Sequence, residues 1–535
     1  MDKAMTGGEA TVASLLKYGL TTIYGLPGIQ NDWLFNALYD VRDQVRVLHT
    51  RHEQGAAFMA LGAALSTGRP SVCAVVPGPG LFNAGAALAT AFALNAPVLF
   101  LCGQIPRKAI GKGLGALHEI PDQLAILEQL TKYARRARRP AEIPMLIAEA
   151  LTAMNSGRPR PAAVEIPMDV LAERGQVGEI PGLPEPDRPR LDAAAVESAA
   201  RLLGKSQNPM IFVGNGAQGV SELVERLAET LQAPVVGYRT GRGVLDSRHY
   251  LSCTLPEARP LWQRCDAVMA LGTSVRGPLK GWGESKHRKL VRIDVDPDVH
   301  RRHATPDVSI VARLEHALPA LLERLAEHNR ERGSREEELD RIHADWRQRS
   351  KLLGPQIAWL KAIRHALGED GIFVDELTQV GFASRIVMPV YRPRTFISTG
   401  YMGTLGYGFP TALGVKNARP DSPVVSVTGD GGFMFAVAEL ATAVQHEIGL
   451  VTVLFNNNQY GNVQQMQRSL YGGRVIASDL VNPDFEQLVT SFGANYARAE
   501  SPDELIVGLE AGFGSSLPTV IEVPVGDMPS VDSFR

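Results

Sequence analysis

Cysteine is scarce: there are four in 535 residues, at positions 73, 102, 253 and 265. They are scattered and lack metal-ligand spacing, which argues against a disulfide scaffold and a cysteine-based metal centre. Reduced, mostly buried thiols are expected, as in a cytoplasmic protein. An excess of one charge is also missing. Lys and Arg number 55 against 57 Asp and Glu, for a net charge of −2, so neither nucleic acid nor an anionic membrane is the expected partner. The one basic run, "ARRARRP" with Arg135, Arg136, Arg138 and Arg139, reads as a solvated or interface patch. No apolar run suits a membrane span: "GLFNAGAALATAFALNAPVLFLCGQ" is interrupted by Asn83, Asn95 and Pro97 and reads as a buried helix followed by a core strand. The opening "MDKAMTGGEATVASLLKYG" has no signal-peptide apolar stretch. Low-complexity segments and short-period repeats are lacking as well.

What is present is a regular alternation. Short β-rich runs ("TTIYGLPG", "RVLHTRH", "SVCAVVPG", "PVLFLCG") are separated by helical patterns such as "EQGAAFMALGAALSTG". This predicts an α/β architecture with parallel sheets covered on both faces. The stretch "QVGEIPGLPEPDRPRL", rich in proline, glycine and charge, reads as a linker after the last strand of a first domain. The charged helical stretch "ERLAEHNRERGSREEELDRIHADWRQRSK" reads as a second connection. Three domains of doubly wound type are expected, over residues 1–175, 190–330 and 354–535. The middle one is Rossmann-like, and the first and third share a coarse plan.

Ligands of an open parallel sheet bind at the carboxyl ends of its strands. Asp430 ends "PVVSVTGD" and Asn457 ends "LVTVLFNN". One strand–helix–strand crossover separates them, so the chain returns beside the first strand and sets a carboxylate near an amide oxygen. Both are hard oxygen ligands, and a single carboxylate suits Mg²⁺ that also holds a phosphorylated ligand. Gly429, Gly431 and Gly432 let the backbone approach that ligand closely. The helix expected over "FAVAELATAVQ" would turn its free N–H groups towards a diphosphate. Either turn alone would mean little. The pair at this spacing points to a strand-tip Mg²⁺–diphosphate site.

GDG followed by NN at this spacing resembles the thiamine-diphosphate-binding motif. Along essentially its whole length the chain resembles the thiamine-diphosphate enzymes of the acetolactate synthase, benzoylformate decarboxylase and benzaldehyde lyase type. The resemblance implies an N-terminal pyrimidine-binding domain and a C-terminal diphosphate-binding domain. It makes the Asp430 and Asn457 side chains and the Gln459 carbonyl metal ligands. Gly431, Gly432 and Phe433, with Thr378 and Gln379 of "VDELTQVG", would meet the diphosphate, and Gly461 is a further cofactor-binding position. Leu405, in "STGYMGTLGYGFPTALG", would be the apolar wedge that bends the cofactor, and the Gly403 carbonyl would accept from its 4′-amino group. Cofactor activation needs a carboxyl group in an apolar setting, its pKa raised by desolvation. Glu53, in "RHEQGAA", matches that position; taken alone it would equally serve as a helix-capping carboxylate. In such enzymes the glutamate and the metal site come from different subunits, which implies a homodimer or homotetramer.

The activity implied is cleavage or formation of a C–C bond next to a carbonyl, in a small 2-oxo acid, aldehyde or 2-hydroxy ketone. Gln30 stands where benzaldehyde lyase has histidine, and His118 where acetolactate synthase has glutamine. Both are candidate catalytic groups. Phe82, Met402 and Met466 are candidate pocket walls, Met466 replacing the selectivity tryptophan of acetolactate synthases. The short tail after "VIEVPVG" makes acyl-CoA substrates less expected. In the middle domain, "FVGNGAQG" fits a dinucleotide fingerprint through Gly214, Gly216 and Gly219. The next strand, in "APVVGYRTG", ends on Tyr238 and Arg239 without the acid that fingerprint expects. An FAD or ADP there is left open. So are two rival readings: a Rossmann-type nucleotide-dependent oxidoreductase, and a catalytically silent relative that binds the cofactor as a scaffold.

Overall fold

The computed structural model describes residues 3–184, 190–283, 285, 287–302 and 304–534. Three six-stranded parallel sheets carry the chain. The first runs, in spatial order, Arg46–His49, Thr22–Gly25, Ser71–Val75, Val98–Gln104, Ala162–Pro167 and Tyr133–Arg136. The third runs Phe396–Ile397, Ile372–Val374, Val424–Gly429, Val451–Asn456, Thr519–Pro524 and Asn495–Arg498. Counted by their own strands, both follow one order, 2-1-3-4-6-5. The middle sheet places Ser252–Cys253, Val235–Gly237, Pro209–Val213, Ala267–Leu271, Lys289–Asp294 and Val308–Val311 in the order 3-2-1-4-5-6. That is the Rossmann order, so the expected fold class holds.

The strands are apolar because both faces are covered. Val98–Gln104 reads VLFLCGQ, with every residue buried. The helix Glu53–Thr67 is rich in alanine and apolar nearly all round, as a helix must be when it is covered on both sides. One side lies on the first sheet and the other on the helix Gly408–Ala418 of the third. Glycine makes that approach possible: a Cβ on Gly62 would sit 2.0 Å from the Thr411 carbonyl oxygen, and one on Gly414 1.9 Å from that of Met59. A single apolar core consequently runs from Tyr24 and Leu48 of the first sheet to Ile372 and Val374 of the third.

Four local expectations need correction or detail. Gln176 and Val177, taken as linker, belong to the strand Arg174–Val177, which pairs antiparallel with Lys3–Thr6; backbone pairing outweighs the linker-like composition. Residues 185–189 of that linker, and residues 1–2 of the N-terminus, lie outside the described residues. The second connection is two helices, Leu314–His328 and Glu336–Arg349, parted at the Asn- and Gly-containing stretch between them. Within the basic run, Arg136 pairs with the fully buried Glu165, so it is not merely a solvated charge. All four cysteines are free and buried. Among the described residues no helix is long and apolar enough to cross a membrane.

Candidate active site

Two neighbouring strands of the third sheet, Val424–Gly429 and Val451–Asn456, end at one cavity of about 300 Å³. Its wall includes Thr378, Gln379, Gly403, Leu405, Asp430, Gly431, Gly432, Asn457, Gln459 and Gly461. Ten of the eleven positions named for the cofactor in the C-terminal part of the chain are therefore brought together, and Phe433 is not on that wall. Asp430 is buried. Its Oδ2 accepts a hydrogen bond from Asn482 Nδ2 at 2.7 Å, and burial holds its pKa above the ordinary carboxylate value against that bond. Gln459 pairs with Asp479 in an isolated bridge carried by its neighbours, the Asn458 carbonyl and the Tyr460 N–H. In such a non-hydrogen-bonded pair the residue's own carbonyl points away from its partner.

These residues fit a divalent cation that carries a diphosphate. Asp430, Asn457 and Gln459 supply hard oxygen donors on one wall. Among the described residues Gln379 Oε1 is a buried acceptor without a partner, while its Nε2 donates to Gln465 Oε1 at 3.0 Å; the amide can present either end to a ligand. Glycine gives the turn its room, since a Cβ on Gly431 would meet the Tyr460 ring at 2.5 Å and one on Gly432 would displace the Glu376 carboxylate, 2.5 Å away. One expectation fails here. The helix following the strand tip is the short Asp430–Met434 segment, and the next begins only at Glu439. The N–H groups beside the cavity thus belong to the GDG turn itself, since Gly431 and Gly432 wind directly into a helical turn.

Glu53 lies elsewhere. The cavity wall is drawn only from residues 376–528, whereas Glu53 is buried in the first domain at the start of its helix. Its Oε2 accepts from Asn83 Nδ2 at 2.9 Å. The N-cap itself is His52, its Nδ1 accepting from the Gln54 N–H at 3.2 Å, and Glu53 is the acidic residue of the first turn. Gln30 and His118 are brought together. His118 Nδ1 is 3.0 Å from Gln30 Oε1, and Gln30 Nε2 donates to the Leu117 carbonyl at 2.9 Å. His118 sits in the left-handed region at φ +66°. Its carbonyl oxygen lies 2.6 Å from where a Cβ on Gly78 would be, so glycine there admits the loop. Phe82, Met402 and Met466 are exposed, and none of them is on the wall of the Asp430 cavity.

Sequence reasoning missed Glu376, Asn83, Glu439 and Asn482. Glu376 is fully buried and its pKa is pushed up to about 7 by burial, against hydrogen bonds from the Thr428 hydroxyl and the Gly406 and Gly408 N–H groups. Its signal was legible: two carboxylates directly follow the buried strand Ile372–Val374. Asn83 was visible as an amide inside an apolar helix, where a polar group needs a partner. Asn482 gave no local signal, being far from Asp430 in sequence.

In the middle domain, a Cβ on Gly214 would lie 2.4 Å from the Gly272 carbonyl oxygen and one on Gly216 2.8 Å from the Gly272 Cα. Those glycines serve close packing of two turns.

Three doubly wound sheets, with a buried carboxylate and amides at neighbouring strand tips, fit an α/β enzyme that holds a diphosphate cofactor. Residues 5–126, 196–321 and 377–523 match, respectively, the N-terminal TPP binding domain, the central domain and the C-terminal TPP binding domain of thiamine pyrophosphate enzymes. The chain belongs to the thiamine pyrophosphate enzyme family. It is 34% identical to a probable 2-ketoarginine decarboxylase of Pseudomonas aeruginosa, over 97% of this chain and 94% of that protein. It is 32% identical to a probable acetolactate synthase large subunit of Methanocaldococcus jannaschii, over 97% of this chain and 92% of the relative. With the acetolactate synthase isozyme 2 large subunit of Escherichia coli it shares 30% identity over 98% of this chain and 97% of the relative.

Proposed function

We propose that the protein is a Mg²⁺- and thiamine diphosphate-dependent enzyme that makes or breaks the bond beside the carbonyl of a small 2-oxo acid, with decarboxylation as its entry step. The observation that carries this reading is the shared cavity at Asp430, Asn457 and Gln459. Relatives described as a decarboxylase and as acetolactate synthases support the reaction class.

When bound, the cofactor supplies the electron sink that the side chains lack. Asp430, Asn457 and the Gln459 carbonyl would hold the metal. Gly431, Gly432, Gly461, Thr378 and Gln379 would hold the diphosphate, and Leu405 and the Gly403 carbonyl would orient the rings. Glu53 is the group that would exchange a proton with the cofactor, at the oxygen Asn83 does not take. His118, oriented by Gln30, would move a proton at the substrate.

A second copy of the chain completes the site in this reading, because Glu53 stands outside the cavity of its own third domain. The exposed apolar side chains Phe82, Leu117, Met402, Phe435, Met466 and Tyr471 support a buried contact between copies, as a homodimer or homotetramer. Domain boundaries at 175, 190, 330 and 354 and a cytoplasmic location belong to the same proposal.

The test is CO₂ release from pyruvate, benzoylformate and 2-ketoarginine, each with thiamine diphosphate and Mg²⁺. Release from one of them, abolished by EDTA and by Glu53→Gln, is expected. Bound cofactor with no CO₂ from any would overturn decarboxylation as the entry step.

A further inference from the structure

Glu376 is the buried ionisable group on the cavity wall that the proposed chemistry leaves unused. A carboxyl group with no cation against it is costly to bury. Among the described residues Glu376 forms no ion pair, and Arg385 is committed to the neighbouring Asp375, with Nε 2.7 Å from Oδ2. Glu376 has neutral partners instead. Its Oε1 accepts from the Gly406 N–H at 2.7 Å and its Oε2 from the Thr428 hydroxyl at 2.6 Å.

Each partner belongs to a different segment of the site. Gly406 follows Leu405 and adopts φ +74°, a backbone state that glycine reaches without strain. Thr428 lies two residues before Asp430, at the end of the strand Val424–Gly429. The same carboxyl group fills the space a side chain on Gly432 would need, 2.5 Å from that Cβ position. The backbone of residue 376 opens the adjoining Thr378 loop, its carbonyl accepting from the Thr378 N–H at 2.9 Å. One residue therefore touches the Leu405 loop, the Asp430 strand tip, the Gly431–Gly432 turn and the Thr378 loop.

We propose that Glu376 is a positioning residue of the cofactor site, a carboxyl clasp that holds the Leu405 loop in register with the Asp430 strand tip and the Gly431–Gly432 turn. This rests on the thiamine diphosphate reading above. A clasp needs shape and hydrogen bonds rather than charge, and the structure accommodates a neutral group. Thr428 Oγ1 also lies 3.2 Å from the Gly429 carbonyl. Its proton can turn there while the hydroxyl oxygen accepts from an amide at position 376, and the remaining amide oxygen keeps the Gly406 N–H. Glutamine should therefore replace glutamate, and alanine should not.

The test is calorimetric titration of the metal-depleted, cofactor-free full chain with thiamine diphosphate and MgCl₂, with near-ultraviolet circular dichroism of the bound cofactor as a second readout. Neither requires turnover. Glu376→Ala should weaken cofactor binding by about tenfold or more and alter the dichroism band, since losing groups that orient a metal site's ligands typically costs about 10–100-fold in affinity. Glu376→Gln should stay within about threefold of wild type. Thr428→Val, which removes one arm, should fall between them. Wild-type affinity and an unchanged band in Glu376→Ala overturn the clasp. So does a Glu376→Gln variant as impaired as alanine, because charge would then be what matters. If Glu376→Ala does not fold, wild-type binding by Thr428→Val overturns the proposal. A wild-type chain that binds no thiamine diphosphate overturns the parent reading instead, and is seen before any variant is made.

Discussion

Glu439 Oε1 accepts a hydrogen bond from the His52 N–H at 3.0 Å, across the seam between the third and first domains of one chain. Its other oxygen accepts from the Arg51 N–H at 3.1 Å. Gly55 leaves room for the carboxylate, since a Cβ there would lie 2.2 Å from Glu439 Oε1. The turn that delivers Glu53 is thus seated on the third domain. Burial raises the Glu439 pKa, and the Thr442 hydroxyl and the two N–H groups oppose that rise.

Removing that seat should loosen the turn. Glu439→Ala would leave two backbone N–H groups without their acceptor, at about 1–3 kcal/mol each where they stay buried. The thermal midpoint should fall, and hydrogen exchange should quicken at residues 51–55. Unchanged exchange there would mean that the seam does not hold the turn. Binding of thiamine diphosphate and Mg²⁺ through the Asp430 cavity should weaken much less, because that cavity takes no residue from the first domain.

The pairing of Gln30 with His118 gives a separate prediction. Gln30 is buried and uses its amide on both the His118 ring and the Leu117 carbonyl. Gln30→Ala removes both contacts while Gly78 still admits the loop. A general acid–base group contributes about 10²–10⁴-fold, and one left unoriented should keep only part of that. A fall in kcat/KM of about tenfold or more is expected on whichever 2-oxo acid releases CO₂. Affinity for thiamine diphosphate should stay the same. Equal kcat/KM in the variant would remove Gln30 from the site.

Much of this was legible from residue order because the information is local. Asp430 and Asn457 end apolar runs one crossover apart, and a parallel sheet sets such ends side by side. Glu53 was legible as a carboxylate opening an apolar helix. What residue order hides is contact between distant segments. Asn482 reaches Asp430, and Glu376 reaches Gly406 and Thr428, only once the third domain is folded, and Glu439 reaches His52 only once that domain packs on the first. The helix after GDG was misplaced for a related reason. The pattern "FAVAELATAVQ" is a good helical period, but tight winding of Asp430–Met434 uses up the first turn and leaves residues 435–438 outside any helix.

A last pair lies away from the cavity. His343 Nδ1 is 3.1 Å from Glu257 Oε1, and its Nε2 is 3.1 Å from the Tyr250 carbonyl oxygen. Both ring nitrogens face acceptors, as a doubly protonated ring requires. Burial works against the imidazolium, but the Glu257 hydrogen bond and charge and the Tyr250 carbonyl outweigh it, so the His343 pKa stands above its ordinary 6.5. Burial likewise works against the Glu257 carboxylate, but the His343 hydrogen bond and the Thr254 N–H outweigh it, and its pKa stands below 4.5. A raised histidine contributes fully below its unfolded pKa and loses that contribution as pH rises through its folded value. A lowered carboxylate contributes above its unfolded pKa and loses that as pH falls through its folded value. The pair should thus stabilise most between about pH 4.5 and 6.5. The gap in thermal midpoint between wild type and His343→Gln should be widest near pH 5.5 and shrink towards pH 8.5. A gap that stays constant across that range would mean that His343 is neutral in the folded chain throughout.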